Sequence, residues 1–157
     1  FRALKLVVAL GAALALSAFA SDKAANGAGD MAGLCAGGAA TPGSTQDFST
    51  NVGDRVFFES DQTDLTSTAR ATLDKQAQWL QQYQTYAFTV EGHADERGTR
   101  EYNIALGARR ANTVRDFLAR NGVSAQRLRT VSYGKERPVA VCNDIQCWSQ
   151  NRRSKTT

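Results

Sequence analysis

The chain is poor in the residues from which metal and catalytic sites are usually built. Among its 157 residues it has one histidine, His93, and three cysteines, one of which lies near the amino end. The histidine and the other two cysteines are fewer ligands than a zinc site normally uses. It also lacks a G-x-S-x-G turn and a G-x-G-x-x-G loop, so neither a hydrolase nor a dinucleotide-binding enzyme has a motif in its favour. We therefore expect no metal, no cofactor and a structural role for His93.

The net charge of the chain is also low once the amino-terminal segment is considered separately. Residues 1–20 contain two basic residues, no acidic residue and an uncharged run from Leu6 to Ala20. This run is short for a membrane span and is typical of a secretory signal peptide. Its removal would lower the formal net charge from +4 to +2. Binding to nucleic acid therefore loses its main support.

The end of the signal peptide leaves the mode of anchoring open. Residues 18–20, AFA, suit cleavage to a soluble protein, whereas residues 16–18, LSA, are how a bacterial lipoprotein signal approaches its acylated cysteine. Phe19 stands at the position of that cysteine, and phenylalanine cannot form the thioether. Cys35 is the only cysteine near the amino end, but Leu34 precedes it where a small residue is expected.

Composition and periodicity predict a tether followed by one folded domain. Residues 21–51 are dominated by small and polar residues and cannot bury enough apolar surface to fold. From residue 52 onward, elements of strand and helix alternate, which predicts an α/β two-layer sandwich. The predicted elements are strands at Arg55–Phe58, Tyr86–Val90 and Leu128–Ser132, a helix at Ser67–Gln84 and a second helix from about Glu101 to Asn121.

The second helix has a stripe of small and apolar residues, which would let it lie close to a sheet. Its members are Gly107, Ala111, Val114 and Leu118. Arg110 lies off this stripe, and we expect it at an exposed edge of the helix.

The most informative segment is an acid-rich turn between the second strand and this basic helix. The turn holds Asp95, Glu96 and Arg97 close to the amino end of the helix, where backbone N–H groups and the helix dipole favour a carboxylate. If Arg110 faces the turn, it would hold that carboxylate in two hydrogen bonds while Asp95 takes an ammonium group. Two alternatives stay open: Asp95 and Arg110 form a surface ion pair worth about 0–1 kcal/mol, or Asp95 and Glu96 act as an acid/base pair on glycan.

Three blocks of sequence carry a resemblance to a known family. They read VEGHADERGTREYNIALGARRAN, VSYGKERP and SQNRR, and the similarity extends over about Val52–Arg153. The chain thus resembles the peptidoglycan-associated lipoproteins (Pal), which have an OmpA-like carboxyl-terminal domain. The resemblance implies a mixed sheet with two main helices on one face, and a non-catalytic protein. It further implies binding to the meso-diaminopimelate of peptidoglycan stem peptides, a lipid anchor on the periplasmic face of the outer membrane, and TolB and other Tol proteins as partners in cell division.

The resemblance also implies which residues form the peptidoglycan site. Asp95 and Arg110 match the essential pair of the family, and Asp61 is a supporting contact at the rim with Phe58 behind it. Asn103 and Leu106 match the motif, Asn103 fixes the loop, and Arg97 completes the predicted set.

The carboxyl-terminal part departs from the family. The family continues past Asn-Arg-Arg into an apolar strand, whereas residues 154–157 read SKTT, so we expect either a missing edge strand or an altered end. Cys142 and Cys147 lie in a predicted long loop that ends at about residue 153. In an exported protein they favour a local disulfide over a metal site.

Overall fold

The computed structural model describes residues 40–157. The predicted signal peptide, Phe19, Cys35 and most of the predicted tether lie outside the described residues. Within residues 40–157, no helix is both long enough and apolar enough to cross a membrane.

The described part forms a four-stranded sheet with helices packed against it. The strands are β1 (Arg55–Phe57), β2 (Phe88–His93), β3 (Leu128–Gly134) and β4 (Arg153–Thr156), and the main helices are α1 (Ser67–Gln82), α2 (Arg100–Arg120) and α3 (Ile145–Asn151). The order in the sheet is β1-β4-β2-β3, with β2 and β3 parallel and the other pairs antiparallel. Since α1 and α2 contact each other and the sheet, the predicted mixed-sheet α/β sandwich is confirmed.

Helix α1 forms where its apolar period and its cap predict it. The hydroxyl oxygen of Thr66 accepts a hydrogen bond from the backbone N–H of Ala69 at 3.1 Å, which satisfies one free donor of the first turn. Leu73, Ala77 and Leu80 follow at helical spacing and are buried in the core. The helix ends at Gln82, two residues before the predicted end.

Helix α2 lies in direct contact with the sheet through two glycines. A Cβ atom built on Gly92 of β2 would overlap the backbone of Gly107 of α2, and one built on Gly107 would overlap the hydroxyl of Ser132. The predicted close approach of this helix is therefore confirmed. The contact fixes the amino end of α2 beside the carboxyl end of β2, where the candidate site lies.

Of the two expectations for the carboxyl-terminal part, the missing edge strand is wrong. Arg153–Thr156 forms β4 in the interior of the sheet, between β1 and β2. A strand is stabilised here by backbone hydrogen bonds to both neighbours, which do not depend on apolar side chains. The hydroxyl of the buried Thr156 donates to Gln76 Oε1 at 3.0 Å, so one polar side chain of the strand is satisfied inside the protein.

The predicted long loop before this strand also contains a helix. Helix α3 begins after Asp144, whose Oδ1 accepts hydrogen bonds from the backbone N–H groups of Gln146 and Cys147 at 2.8 and 3.3 Å. A seven-residue helix has too few turns for a clear apolar period. The sequence pattern therefore did not reveal it.

The folded part begins earlier than residue 52. Two helical turns, Thr45–Asp47 and Phe48–Gly53, precede β1. The Phe48 side chain is 4% exposed and packs edge-on against Trp79, with ring centroids 5.0 Å apart. The predicted boundary thus falls inside the fold, because one aromatic side chain anchors an otherwise polar segment to the core.

Candidate functional site

The candidate site lies in the loop between β2 and α2. The loop starts at Ala94, whose backbone N–H donates to the carbonyl of Gly134 at 2.8 Å, and it ends at Thr99, whose hydroxyl caps α2 by accepting from the N–H of Tyr102 at 3.2 Å. Both ends of the loop are therefore fixed. Asp95 is the second residue after the strand and is 7% exposed.

Two arginines surround the carboxylate of Asp95. Arg97 donates from Nε to Oδ1 at 3.1 Å and from Nη2 to Oδ2 at 2.7 Å, and its backbone N–H also donates to Oδ1. Arg152 Nη1 lies 3.4 Å from Oδ2. Burial alone would raise the pKa of Asp95, but these hydrogen bonds and positive charges outweigh it and hold the pKa below the usual value. Asp95 is therefore ionised at neutral pH.

A cavity of about 220 Å³ opens beside this carboxylate. Its lining consists of Asp61, Asp95, Arg97, Gly98, Tyr102, Asn103 and Leu106. The structure thus brings together Asp61, Asp95, Arg97, Asn103 and Leu106 of the residues that the sequence singled out. The side-chain amide of Asn103 donates to the carbonyl of Arg97 at 2.8 Å, and the hydroxyl of Tyr102 donates to Asp61 Oδ1 at 3.1 Å.

Arg110 is not at an exposed edge, and that prediction is wrong. Its side chain is fully buried and donates from three nitrogens to the backbone carbonyls of Glu59, Gln62 and His93 at 3.0–3.1 Å. Burial lowers its pKa to about 10, against the opposing effect of the nearby Asp95. Arg110 therefore ties the loop after β1 to the end of β2, and in residues 40–157 no ion pair joins it to Asp95.

Phe58 lies with Arg110 behind the cavity wall. Its side chain is buried, and the Arg110 guanidinium carbon lies 5.2 Å from the centre of its ring. A cation over an aromatic face is stabilised by the ring quadrupole. Neither residue lines the cavity, so both would act on a ligand through the wall that they support.

Two residues at the site were missed by the sequence patterns. Arg152 is buried and donates from Nε to the carbonyl of Phe58 at 3.0 Å as well as contacting Asp95. Trp148 on α3 donates from its indole N–H to Glu96 Oε1 at 3.0 Å, and the Arg97 guanidinium carbon lies 4.5 Å from the centre of its ring. The SQNRR block marked this segment as related to the family, but it gave no sign of contact with Asp95.

His93 has the surroundings of a structural residue. It is 1% exposed, its Nε2 lies 3.3 Å from Glu91 Oε2, and its ring packs on Tyr133. Burial and the charge of Arg153 lower its pKa to about 4, so the imidazole is neutral at pH 7.

The cysteines of the carboxyl-terminal segment are joined to each other. Cys142 and Cys147 form a disulfide with their Cα atoms 5.7 Å apart. In the described residues they are also the sulfur atoms of the one group with the spacing of a metal site, together with Asp144. Because the two sulfurs are bonded to each other, this group offers no thiolate to a metal.

Four larger clefts occur in the described part of the chain. They measure about 470, 410, 330 and 230 Å³. None of them has a buried carboxylate in its lining. We therefore place the site at the smaller cavity, where a buried carboxylate faces the opening.

Comparison with known proteins identifies the family. Residues 57–152 match the OmpA family. The peptidoglycan-associated lipoprotein of Mesorhizobium japonicum is 62% identical over 152 residues, which cover 97% of this chain and 90% of that protein. The one of Agrobacterium fabrum is also 62% identical, over 96% of this chain and 85% of that protein.

Solved structures give the same assignment. The crystal structure of the peptidoglycan-associated lipoprotein from Burkholderia pseudomallei superimposes with a TM-score of 0.67 and 36% identity, over 71% of this chain and 96% of that one. The carboxyl-terminal domain of Helicobacter pylori MotB has a TM-score of 0.62 at 23% identity and shares the fold alone. This chain therefore belongs to the OmpA family and, within it, to the peptidoglycan-associated lipoproteins.

Proposed function

We propose that the protein binds peptidoglycan without catalysis, by holding the zwitterionic end of meso-diaminopimelate in stem peptides at the cavity beside Asp95. The observation that supports this most is a buried, ionised carboxylate that faces a cavity and is paired with Arg97, a long and partly exposed cationic side chain. A ligand with one ammonium and one carboxylate group matches both charges. The names of the relatives point to the same polymer.

The two carboxylates of the lining would accept the ammonium group. Asp95 and Asp61 face the same cavity. Asp95 Oδ2 is the oxygen that Arg97 and Arg152 share. The Arg97 side chain is 45% exposed whereas that of Arg152 is 8% exposed, so Arg97 is the arginine that has room to turn away. The ammonium group would then replace Arg97 on Asp95.

The ligand carboxylate would be held at the amino end of α2. The released guanidinium of Arg97 is one donor, and guanidinium binds carboxylate in paired hydrogen bonds. The backbone N–H groups of the first turn are further donors. Thr99 accepts hydrogen bonds from the N–H groups of Tyr102 and Asn103, and the two N–H groups that precede these in the helix would donate to the ligand. Arg110, which we first expected to bind this carboxylate directly, would instead hold the loop that carries Asp61.

The same contacts argue against cleavage of wall glycan. A general acid in a glycosidase needs a raised pKa, whereas the two arginines lower the pKa of Asp95. The carboxylate of Glu96 accepts the indole N–H of Trp148. The two carboxylates therefore do not share the environment of an acid/base pair.

Membership of the family supports a wider role. We infer that the chain connects the outer membrane to the cell wall from the periplasmic face, through an amino-terminal lipid, and supports envelope integrity and constriction during cell division. TolB and other Tol proteins are its inferred partners. The attachment residue of the lipid is unassigned, since Phe19 stands at the expected position. Peptidoglycan binding is the part of this proposal that the cavity supports directly.

Sedimentation with purified sacculi tests the proposal. Wild-type protein should bind diaminopimelate-type sacculi, and lysine-type sacculi should bind weakly because lysine lacks the second carboxylate. Asp95→Asn should weaken binding about 10- to 100-fold, as expected for loss of a charged hydrogen bond in a partly buried site. Asp74→Asn on the exposed face of α1 is the matched control and should bind like wild type.

Equal sedimentation of Asp95→Asn and wild type would refute the site. Release of soluble glycan fragments from the sacculi by wild-type protein would instead support the alternative of a wall-cleaving enzyme. Melting temperatures of both variants should be measured alongside, so that a loss of binding is not confused with a loss of fold.

A further inference from the structure

We propose that Trp148 is a positioning residue of this site, which acts on the ligand through Arg97 and depends on the Cys142–Cys147 disulfide for its own placement. This inference rests on the proposed function, since it concerns the same cavity. Trp148 lies on α3 and does not line the cavity. Its contacts, however, are with the two loop residues that follow Asp95.

The indole contacts Arg97 and Glu96 in different ways. The Arg97 guanidinium carbon lies 4.5 Å from the centre of the ring, and the indole N–H donates to Glu96 Oε1 at 3.0 Å. The ring therefore supports one face of the Arg97 guanidinium, while the N–H groups at the edge of the guanidinium donate to Asp95. Although the Arg97 side chain is 45% exposed, the ring keeps its guanidinium next to the cavity, so a short movement is enough to exchange Asp95 for the ligand carboxylate and less conformational entropy is lost on binding.

Ser60 completes the restraint on Arg97. Its hydroxyl oxygen accepts a hydrogen bond from Arg97 Nη2 at 2.9 Å, on the side of the loop after β1. The guanidinium thus has contacts with three parts of the chain: Asp95 in its own loop, Ser60 after β1 and Trp148 on α3. Asp95 is the contact that the ligand would replace, whereas Trp148 and Ser60 can stay in place when Arg97 changes partner.

Helix α3 needs outside support to hold Trp148. A helix of seven residues is marginal by itself. The disulfide joins Cys142, ahead of the helix, to Cys147, the residue before Trp148. At the other end, the Asn151 side chain accepts from the N–H groups of Val139 and Ala140 and donates to the carbonyl of Ala140. The helix is thereby fixed to the segment that precedes it.

Binding of a defined ligand measures this effect. The probe is a purified disaccharide tripeptide that ends in meso-diaminopimelate, titrated by calorimetry into the full mature chain. Trp148→Leu should weaken binding about 10-fold and Trp148→Phe, which keeps a ring but loses the N–H, about 3-fold. Ile145→Ala is the matched control on the same helix, because Ile145 is 69% exposed, and it should bind like wild type. Wild-type affinity for Trp148→Leu would overturn the inference.

A double-mutant cycle separates positioning from direct contact. In an Arg97→Gln background, Trp148→Leu should weaken binding less than 2-fold further, because the residue through which it acts is gone. If the two losses multiply instead, Trp148 does not act through Arg97 and the inference is wrong. If wild-type protein fails to bind the probe at all, the proposed function fails, and the two failures are thus distinguishable.

The pH dependence of binding tests the route through Arg97, because it would not change if Trp148 had a purely structural role. Released from Trp148, Arg97 should hold Asp95 less firmly, so the acid limb of binding should shift to higher pH in Trp148→Leu. The charged and titratable groups that surround Asp95 are Arg97, Arg152, Arg110, Asp61 and Tyr102. The same substitution with an unshifted acid limb would count against the route through Arg97.

The disulfide is tested with a dithiol reagent. Dithiothreitol supplies two electrons and two protons, both cysteines become thiols, and the reagent closes to its cyclic disulfide. Binding of the probe should weaken about 3-fold on reduction, and a Cys142→Ser, Cys147→Ser variant should bind as the reduced protein does with or without reagent. Unchanged affinity after complete reduction, checked by mass, would remove the disulfide from the proposal.

Discussion

The two ends of β2 are each secured by an arginine, but the arginines work in different surroundings. Arg127, near the start of β2, donates to the carbonyls of Leu80, Tyr83 and Tyr86 at 2.9–3.0 Å. Arg110, near its end, donates to three carbonyls in the same manner. Arg127 is partly exposed beside a cluster of aromatic rings, whereas Arg110 is fully buried among charged groups.

This comparison shows what distinguishes the end at which we propose the binding site. We call the first region the aromatic end; its rings are those of Phe48, Trp79, Tyr83, Tyr86 and Phe88, with neighbouring centroids 4.7–6.2 Å apart. We call the second the arginine end; it contains Arg97, Arg110, Arg152 and Asp95. At the aromatic end the rings fill the core, and the cleft beside them has no buried carboxylate in its lining. At the arginine end, hydrogen bonds from guanidinium groups replace that burial and leave a carboxylate at the edge of a cavity.

The largest expected effect is that of removing Arg110. Arg110→Ala should lower the free energy of unfolding by about 3–5 kcal/mol, because three carbonyls lose their donor, that of His93 inside the protein, and a fully buried side chain leaves a void. Arg127→Ala should lower it by about 1–2 kcal/mol, since water reaches its carbonyls. Urea unfolding followed by circular dichroism measures both. Equal losses would show that burial does not distinguish the two ends.

The second effect tests whether the aromatic end is independent of binding. Phe48→Ala should lower the free energy of unfolding by about 3 kcal/mol through loss of apolar burial. Sedimentation with sacculi, measured below the melting temperature, should stay as in wild type. A parallel loss of binding would mean that the two ends are coupled through the sheet.

The smallest expected effect concerns pH at the arginine end. His93 has a folded pKa of about 4, below the usual 6.5, so between these values the unfolded chain binds a proton that the folded protein does not. Unfolding free energy should therefore fall as pH drops from 6.5 to 4, with the contribution of His93 fully present above pH 6.5. The groups that act on His93 are Glu91, Arg137 and Arg153.

Substitution of His93 isolates this term. The unfolding free energy of His93→Gln should fall by about 2 kcal/mol less than that of wild type between pH 6.5 and 4. This value is smaller than the full pKa shift would give. Phe48→Leu, at the aromatic end, should keep the full pH dependence. Unfolding curves at several pH values decide the matter, and an unchanged slope in His93→Gln would contradict the assignment.

The sequence predicted the regular elements well because they depend on local patterns. The apolar period of α1, the small residues of α2 and the predicted end of α2 near Asn121 each reflect neighbours a few positions away. The polar strand β4 and the short helix α3 lacked such a pattern. Their formation depends on partners distant in sequence, as when Thr156 bonds to Gln76, 80 positions earlier.

The candidate site divides in the same way. The acid-rich turn at Asp95 and its place before a basic helix were visible in the sequence, and the cavity does contain the predicted Asp61, Arg97, Asn103 and Leu106. The orientation of Arg110 was not visible. A helix pattern places a residue on a face, but the carbonyls that draw its guanidinium inward come from loops before β2 and from the end of β2 itself.

The amino-acid sequence by itself determined the alternation of strands and helices, the close contact of α2 with the sheet and the placing of an acidic turn before a basic helix. These follow from periodicity, side-chain size and local capping, which act over a few residues. Only the tertiary structure decided that Arg152, 57 positions away, joins Arg97 at Asp95, and that Arg110 serves the wall of the cavity. Hydrogen bonds are short and directional, so their partners are chosen only when distant segments have packed together.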